Sequence, residues 1–238
     1  MKTNDEIISK VKESIQQDFT FLETSQIQNQ EISEDKLEAI VVVSNVLYIH
    51  VNEMTTLVNS QGKRYTAKIF RLYRQVVQKF AEQTHGYFDI YDTSSFLIIY
   101  PGQLSEARIA VKRARQLTYI LTESLKEYGK QFNQLDFTIG VDHGRVLGTN
   151  EGRFIWYGIC INKAKRLSEI CLKPYRIGIS GSVFKALEDE DKYIITRILN
   201  IPRKKEIWER NSYDFLHAHK HYYATRYPEE FDSLDNIV

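Results

Sequence analysis

Asn162 and Arg166 are the residue pair with the clearest chemical meaning in this sequence. They follow Trp156 and Gly158 and lie one helical turn apart, so a helix here would project both from one face. An amide and a guanidinium fork on one face suit a ribose and the phosphate of a phosphoryl-transfer transition state. Gly158 would let the start of that helix approach a ligand closely. Two simpler interpretations stay open: a solvated helix face, and an ion pair between Arg166 and Glu169.

The acidic residues Asp89 and Asp92 form a second candidate group, beside a short turn. Carboxylates on a tight hairpin next to a buried strand are a common place to hold Mg²⁺, which prefers hard oxygen ligands. Two Asp residues at a turn are more often only turn formers, because their side chains hydrogen-bond the nearby backbone.

Three alternating histidines near the C-terminus form a third group. Alternate residues share one face of a strand, so three imidazoles could bind a transition metal there. No Cys or carboxylate completes the set, and a tail without metal is therefore the favoured interpretation. The residues are His217, His219 and His221.

Hydrophobic spacing predicts the elements that must position these groups. A continuous apolar run at 38–51 predicts a central strand, and apolar residues at helical spacing predict helices. The order is β-α-β-β-α-β, which predicts an α+β, ferredoxin-like fold with a C-terminal extension. The main elements are a helix at 63–84, a hairpin at 86–100, a helix through 121, strands at 135–144, 145–150 and 154–158, a helix at 161–171, and a strand, helix and strand between 175 and 199.

The pattern also predicts three parts of the chain. Residues 1–36 are expected to form an N-terminal helix and a polar connection, because the helical spacing fades after the first turns. Residues 37–200 form the main domain, and residues 201–238 form the C-terminal extension.

Composition excludes several classes of protein. The chain has 238 residues, 32 Lys+Arg against 31 Asp+Glu, 42% hydrophobic and 26% charged residues, as in an ordinary soluble globular protein. The near-zero net charge argues against binding to nucleic acid, which needs a basic face. Two cysteines fit a reducing cytoplasm, and no stretch is apolar and long enough to predict a membrane span or a signal peptide.

Laid end to end, these segments resemble the class III nucleotide cyclases, in particular the pyrimidine cyclases of bacterial anti-phage signalling (the Pycsar type). The resemblance covers roughly residues 38–190. Four segments carry it: VLYIHVNEMTTLV is similar to the first strand and turn, HGYFDIYDTSSFLIIY to the hairpin, TIGVDHGRVLGTNEGRFIWYGICINKAKRL to the strand and helix with the W-x-G-x-x-x-N-x-x-x-K/R pattern, and YRIGISGSVFKAL to the closing strand and helix.

The resemblance implies a head-to-tail dimer with active sites shared between two domains. Two acids of one subunit hold two Mg²⁺ or Mn²⁺ ions, while Asn and Arg of the other orient the ribose and stabilise the transferring phosphate. The 3′-hydroxyl of a nucleoside triphosphate attacks the α-phosphate, which gives a cyclic nucleotide and pyrophosphate.

Transferred residue by residue, the family pattern is only partly present. Asn162, Arg166 and Trp156 match it. The two metal acids fall on His50 and Ser94, neither of which is a hard anionic ligand. The positions that contact the base in other class III cyclases fall on Ile90 and Ile159, and Asp92 is a possible substitute metal ligand.

Three hypotheses follow. The first is a degenerate cyclase subunit whose Asn162 and Arg166 complete a site with an acid-bearing partner. The second is an active homodimer in which Asp89 or Asp92 replaces the missing ligands, with Mg²⁺ or Mn²⁺ as cofactor. The third is a non-catalytic nucleotide sensor or scaffold, which needs no metal.

Overall fold

The computed structural model describes residues 6, 8–9, 11–12, 20–27, 38–52, 54–127, 136–150, 154–171, 175–198, 201–206, 208–215 and 218–226.

One mixed sheet organises the described chain. Its main path runs β10-β11-β7-β5-β2-β4-β3, with β1 added beside β2 and β6 beside β5. A separate hairpin is formed by β8 and β9. The strands are β1 Thr20–Glu23, β2 Glu38–Asn52, β3 Tyr87–Asp92, β4 Ser95–Pro101, β5 Asp136–Asn150, β6 Phe154–Tyr157, β7 Tyr175–Ser180, β8 Tyr193–Ile198, β9 Ile201–Glu206, β10 Trp208–Phe215 and β11 Ala218–Arg226.

Helices cover both faces of this sheet. No helix in the described part of the chain is long and apolar enough to cross a membrane. The helices are α1 Met54–Gln61, α2 Lys63–Gln83, α3 Ala107–Glu127, α4 Ile159–Ile170, α5 Gly181–Ala186 and α6 Asp189–Lys192, with a short 3₁₀ turn at Leu104–Glu106.

The predicted β-α-β-β-α-β order is confirmed. Strand β2 leads through α1 and α2 to the β3–β4 hairpin, and α3 then leads to β5. The central order β5-β2-β4-β3 is antiparallel at every step, as in a ferredoxin-like sheet. The continuous apolar sequence of β2 follows from its central place, because both of its faces are buried.

Several elements differ from the prediction. The two strands predicted at 135–144 and 145–150 form one long strand, because β5 pairs with β2 without a break from Ala39 to Asn52. Strand β1 lies in the predicted polar connection and pairs in parallel with the start of β2, which extends beyond the reach of β4. The described residues between 6 and 12 are helical, in agreement with the N-terminal helix predicted there. Within the predicted C-terminal extension, β11 pairs with β7 and so joins β10 to the main sheet.

Two hydrophobic cores lie on opposite faces of the sheet. The larger core packs α2, α3 and α5 against one face, around Leu47, Ile49 and Phe137. The smaller core packs α4 against the other face, around Tyr48 and Ala164. Alternate residues of β2 point to opposite faces, so Tyr48 and its neighbour Leu47 belong to different cores.

Helix α4 lies unusually close to β5 at Gly140. A Cβ atom on Gly140 would overlap the backbone carbonyl of Ala164 and would lie 2.9 Å from the amide nitrogen of Ser168. The Thr138 hydroxyl donates a hydrogen bond of 2.8 Å to the Ser168 carbonyl at the same crossing. A glycine is therefore required where this helix meets the sheet.

We expect Gly140→Ala to destabilise the protein by about 3 kcal/mol, the upper end for overpacking a core, because the whole of α4 must move outward. Gly181→Ala is the matched control: its Cβ would meet its nearest neighbour, the His221 carbonyl, at 3.5 Å, an ordinary contact. The free energy of unfolding in urea measures both. Equal stability of the two variants would contradict the close packing of α4.

Candidate functional site

Helix α4 carries Asn162 and Arg166 on its exposed side. The helix begins after Gly158, whose carbonyl accepts a hydrogen bond from the Asn162 backbone N–H at 3.1 Å. A Cβ on Gly158 would lie 2.9 Å from the Arg145 carbonyl of β5. The glycine therefore allows close packing against the sheet, whereas the sequence had suggested close approach to a ligand.

Arg166 forms a weak ion pair in the single chain. Its guanidinium nitrogen lies 3.5 Å from a carboxylate oxygen of Glu169, and 48% of the Arg166 side chain is exposed. This is the pairing that the sequence left open. Exposed pairs of this kind contribute only about 0–1 kcal/mol, so a phosphate group can replace Glu169 at little cost.

Trp156 is a packing residue and does not line an open surface. Only 3% of it is exposed, and its ring lies over Gly148, stacks on Phe154 at 5.5 Å and meets Tyr87 edge-on at 5.1 Å. This burial does not support the predicted substrate contact. Trp156 instead packs β6 against β3, next to the start of α4.

The two predicted base-contact positions are placed differently. Ile159, the first residue of α4, is 60% exposed, and Tyr157 next to it is 47% exposed. Ile90 packs against the larger core, on the sheet face opposite to Asn162. Its neighbour Tyr91 packs against the smaller core and so lies on the same face as α4. The structure therefore does not support Ile90 as a base contact.

His50 of β2 lies directly beside Ser95 of the neighbouring strand β4. The register of β2 and β4 pairs these two residues, and His50 Nδ1 lies 3.0 Å from Ser95 Oγ. Ser94, to which the sequence assigned the second metal position, turns its hydroxyl to Asp92 Oδ1 at 3.1 Å. The register of β2 with β4 therefore places Ser95, the residue after Ser94, opposite His50.

Both carboxylate oxygens of Asp92 accept hydrogen bonds from residues of the same chain. Oδ1 accepts hydrogen bonds from the Ser94 backbone N–H at 2.8 Å and from the Ser94 hydroxyl, and Oδ2 accepts one from the Tyr48 hydroxyl at 3.1 Å. Asp89 accepts a hydrogen bond of 2.7 Å from the backbone N–H of Ile90. Asp92 thus shows the turn chemistry that was the simpler interpretation, whereas Asp89 lies within β3, opposite Leu97.

Burial and nearby charges set the protonation states here. Burial lowers the pKa of His50, and the Lys165 ammonium lowers it further against the opposing charges of Asp92 and Glu169. Burial raises the pKa of Tyr48. Burial alone would raise the pKa of Asp92, but hydrogen bonds from Ser94, Ser95 and Tyr48 together hold it below its usual value. At neutral pH the imidazole and phenol are uncharged and the carboxylate is ionised.

Sequence reasoning missed Lys165. Its ammonium lies 5.5 Å from the ring centre of Tyr91 and 6.0 Å from that of Tyr48. The missed signal was its position in α4, three residues after Asn162 and beside Arg166, which places it on the same helical face.

These residues do not fit a divalent metal ion. His50 is a neutral imidazole, Ser94 and Ser95 are hydroxyls, and Asp92 has hydrogen-bond donors on both oxygens, whereas Mg²⁺ needs hard anionic oxygen ligands. Among the residues that the structure describes, no group of three or more His, Cys, Asp or Glu side chains is arranged so that it could hold a metal ion. Of the predicted histidine set, His217 lies outside the described residues, and His219 and His221 lie in β11.

We expect Tyr48→Phe to raise the pKa of Asp92 and to destabilise the protein by about 1 kcal/mol at neutral pH, because a hydrogen bond to a carboxylate is lost. A carboxylate with a lowered pKa stabilises the fold above its unfolded pKa of about 3.9, and this contribution is lost as the pH falls through the folded value. The stability difference from wild type should therefore shrink in acid.

Carboxyl NMR titration and urea unfolding at several pH values measure both effects, with exposed Tyr157→Phe as the control. An unchanged Asp92 pKa in Tyr48→Phe would show that the phenol does not hold the carboxylate.

Comparisons with known proteins agree with this architecture. No protein-family profile matches the chain. It is similar to a uridylate cyclase of Burkholderia cepacia, with 23% identity over 160 residues that span 63% of this chain and 68% of the relative.

Among solved structures, a bacterial light-regulated adenylyl cyclase superposes with a TM-score of 0.63 and 13% identity over 86% of this chain, which spans 57% of that longer chain. The guanylyl cyclase Cya2 superposes with a TM-score of 0.62 and 14% identity over 81% of this chain and 96% of its own. A class III adenylyl cyclase-like ATP-binding protein from Pseudomonas aeruginosa superposes with a TM-score of 0.64 and 15% identity. The superposition covers 82% of this chain and 46% of that protein's chain.

The sheet order, the placement of α4 and these similarities lead to one conclusion. This chain has the class III nucleotide-cyclase fold, and the predicted resemblance of its sequence to that class, pyrimidine cyclases included, is confirmed.

Proposed function

We propose that this chain is a nucleotide-cyclase subunit that supplies Asn162 and Arg166 to an active site whose metal-binding acids belong to a partner chain. One observation carries the proposal: the exposed face of α4 keeps both residues, while the metal positions of the same chain hold His50 and serine hydroxyls. The family reaction converts a nucleoside triphosphate to a cyclic nucleotide and pyrophosphate.

In the composite site, Arg166 stabilises the transferring phosphate. Its planar guanidinium can donate two parallel hydrogen bonds to the non-bridging oxygens of the α-phosphate as charge develops there. Asn162, one turn earlier, donates from its amide to the ribose and so holds the 3′-hydroxyl in line for attack. Because the Glu169 pair is weak, Arg166 can leave it when a phosphate arrives.

The similarity to a uridylate cyclase supports a pyrimidine nucleotide as the substrate. The resemblance of the sequence to the Pycsar-type cyclases is the reason to propose anti-phage signalling as the biological setting. The large apolar side chains of Tyr157 and Ile159, exposed at the start of α4, support a dimer partner that covers them. Cys160 and Cys171 are both buried free thiols, which supports a cytoplasmic location.

The rival homodimer that would use Asp89 or Asp92 is disfavoured by geometry. Asp92 already accepts hydrogen bonds from Ser94 and Tyr48, and Asp89 accepts one from the Ile90 backbone N–H. A metal ion would compete with these donors. The third hypothesis, a sensor or scaffold, predicts no turnover in any assembly.

Restoring acids tests the missing half of the site. We expect the wild-type chain to form little cyclic product from any of the four nucleoside triphosphates with Mg²⁺ or Mn²⁺. His50→Asp with Ser95→Asp should produce it, because those two side chains face each other across β2 and β4. His50→Asp with Ser94→Asp is the matched control and should be less active, because the Ser94 side chain points to Asp92.

Mass spectrometry of the products measures turnover, and circular dichroism confirms that each variant folds. Robust synthesis by the wild-type chain would contradict the proposal and favour the Asp89/Asp92 homodimer.

In the acid-restored chain, Arg166→Ala should lower the rate by about 10²–10³-fold, because a charge contact to the transition state is lost. Arg74→Ala, an exposed residue of α2 on the far side of the sheet, is the control and should leave the rate unchanged. Turnover of Arg166→Ala at the parental rate would remove Arg166 from the site.

A further inference from the structure

Lys165 lies where α4 faces the ends of β2 and β3. It occupies one side of the helix with Asn162, three residues before it, and Glu169, four residues after it; Arg166 is likewise four residues after Asn162 and three before Glu169. The ammonium sits over the rings of Tyr91 and Tyr48, at 5.5 and 6.0 Å from their centres. The two rings pack edge-to-face at 5.2 Å and so form a single support.

The same corner contains the residues at the family's metal positions. Tyr48 and His50 alternate along β2 and therefore point to the same sheet face, and the Tyr48 hydroxyl donates to Asp92. Burial is the main cause of the lowered pKa of His50, and the charge of Lys165 makes a smaller contribution in the same direction. A fixed positive charge thus lies beside the corner where other members of the fold class bind metal ions.

In the described residues, aromatic faces hold this ammonium, and no carboxylate does so. A cation over a ring face is held on one side only, and its remaining N–H groups can donate to an incoming oxygen. Lysine is a common phosphate ligand because its ammonium is a compact point charge with three donors. The arrangement suits an anion better than a second cation.

We infer that the Lys165 ammonium replaces a divalent cation at this corner, and that this corner binds the triphosphate of a nucleotide without Mg²⁺. The inference rests on the proposed function, because it concerns the other half of the same cyclase architecture. The β2–β4 corner is then a nucleotide site that needs no metal ion and carries out no reaction, and it lies beside the helix that carries Asn162 and Arg166.

Two physical features support metal-free binding. The neutral imidazole of His50 and the hydrogen-bonded carboxylate of Asp92 present no anionic pair to a metal ion. A divalent ion would also approach the positive charge of Lys165, which is costly in a partly buried site. A triphosphate, in contrast, can bind the ammonium of Lys165 directly, and none of its negatively charged oxygens needs to coordinate a metal ion.

Isothermal titration calorimetry on the 238-residue chain tests the inference. The probes are inorganic tripolyphosphate and UTP, each titrated once in EDTA and once in excess Mg²⁺. We expect both probes to bind in EDTA, and we expect Mg²⁺ to weaken binding because it occupies the phosphate oxygens. Lys165→Gln should weaken binding in EDTA at least tenfold, and Lys165→Arg should keep most of it. Lys79→Gln, exposed on α2 in the opposite layer, is the control and should bind like wild type.

Binding that requires Mg²⁺, absence of binding of both probes to a folded chain, or equal affinity of wild type and Lys165→Gln would each overturn the inference. These results are separable from the proposed function. If the wild-type chain did not bind the probes without metal, the composite site would still be supported by loss of turnover when Arg166→Ala is introduced into the acid-restored chain. Metal-free binding that depends on Lys165 would likewise stand if Arg166 proved irrelevant to turnover.

Discussion

The backbone contact of α4 with β5 at Gly140 sets the position of every candidate residue on that helix. With no side chain between them, helix and strand lie closer than ordinary packing allows. Two polar contacts fix the helix along the strand: the Thr138 hydroxyl on the Ser168 carbonyl, and the Lys163 ammonium 3.9 Å from the buried carboxylate of Asp142. The side of α4 away from the strand is then left for Asn162 and Arg166.

The two halves of the expected cyclase site have different chemistry in this chain. The α4 half keeps an amide and a guanidinium, groups that bind a nucleotide through hydrogen bonds and charge. In the β2–β4 half, His50 lies opposite Ser95, and the ammonium of Lys165 lies over the ring of Tyr91. This corner holds one ionised carboxylate, Asp92, and one ammonium, Lys165, and it offers no pair of anionic ligands to a metal ion. The absence of that pair among these described residues links the proposed division of labour with the proposed metal-free nucleotide site.

Sequence alone predicted the order of elements, the pairing of the hairpin, and a helix that presents Asn162 and Arg166, because hydrophobic period and turn residues determine these locally. It could not predict that Ser95 faces His50, since that register depends on pairing between β2 and β4, which are far apart in the sequence. It assigned Trp156 to the substrate and Gly158 to a ligand, whereas both serve packing that depends on distant β5. The position of Lys165 near Asn162 was a signal, but its contacts could not be predicted because its partners are rings on two separate strands, β2 and β3.

The most direct measurement of the central claim is a complementation assay. The wild-type chain, which has Arg166 but no acids, is mixed with an otherwise inactive chain that carries His50→Asp, Ser95→Asp and Arg166→Ala. If Arg166 acts across a subunit interface, neither chain alone forms cyclic nucleotide, and the mixture does, in proportion to the mixed dimers present. A mixture no more active than its separate components, although mixed dimers form, would contradict the account.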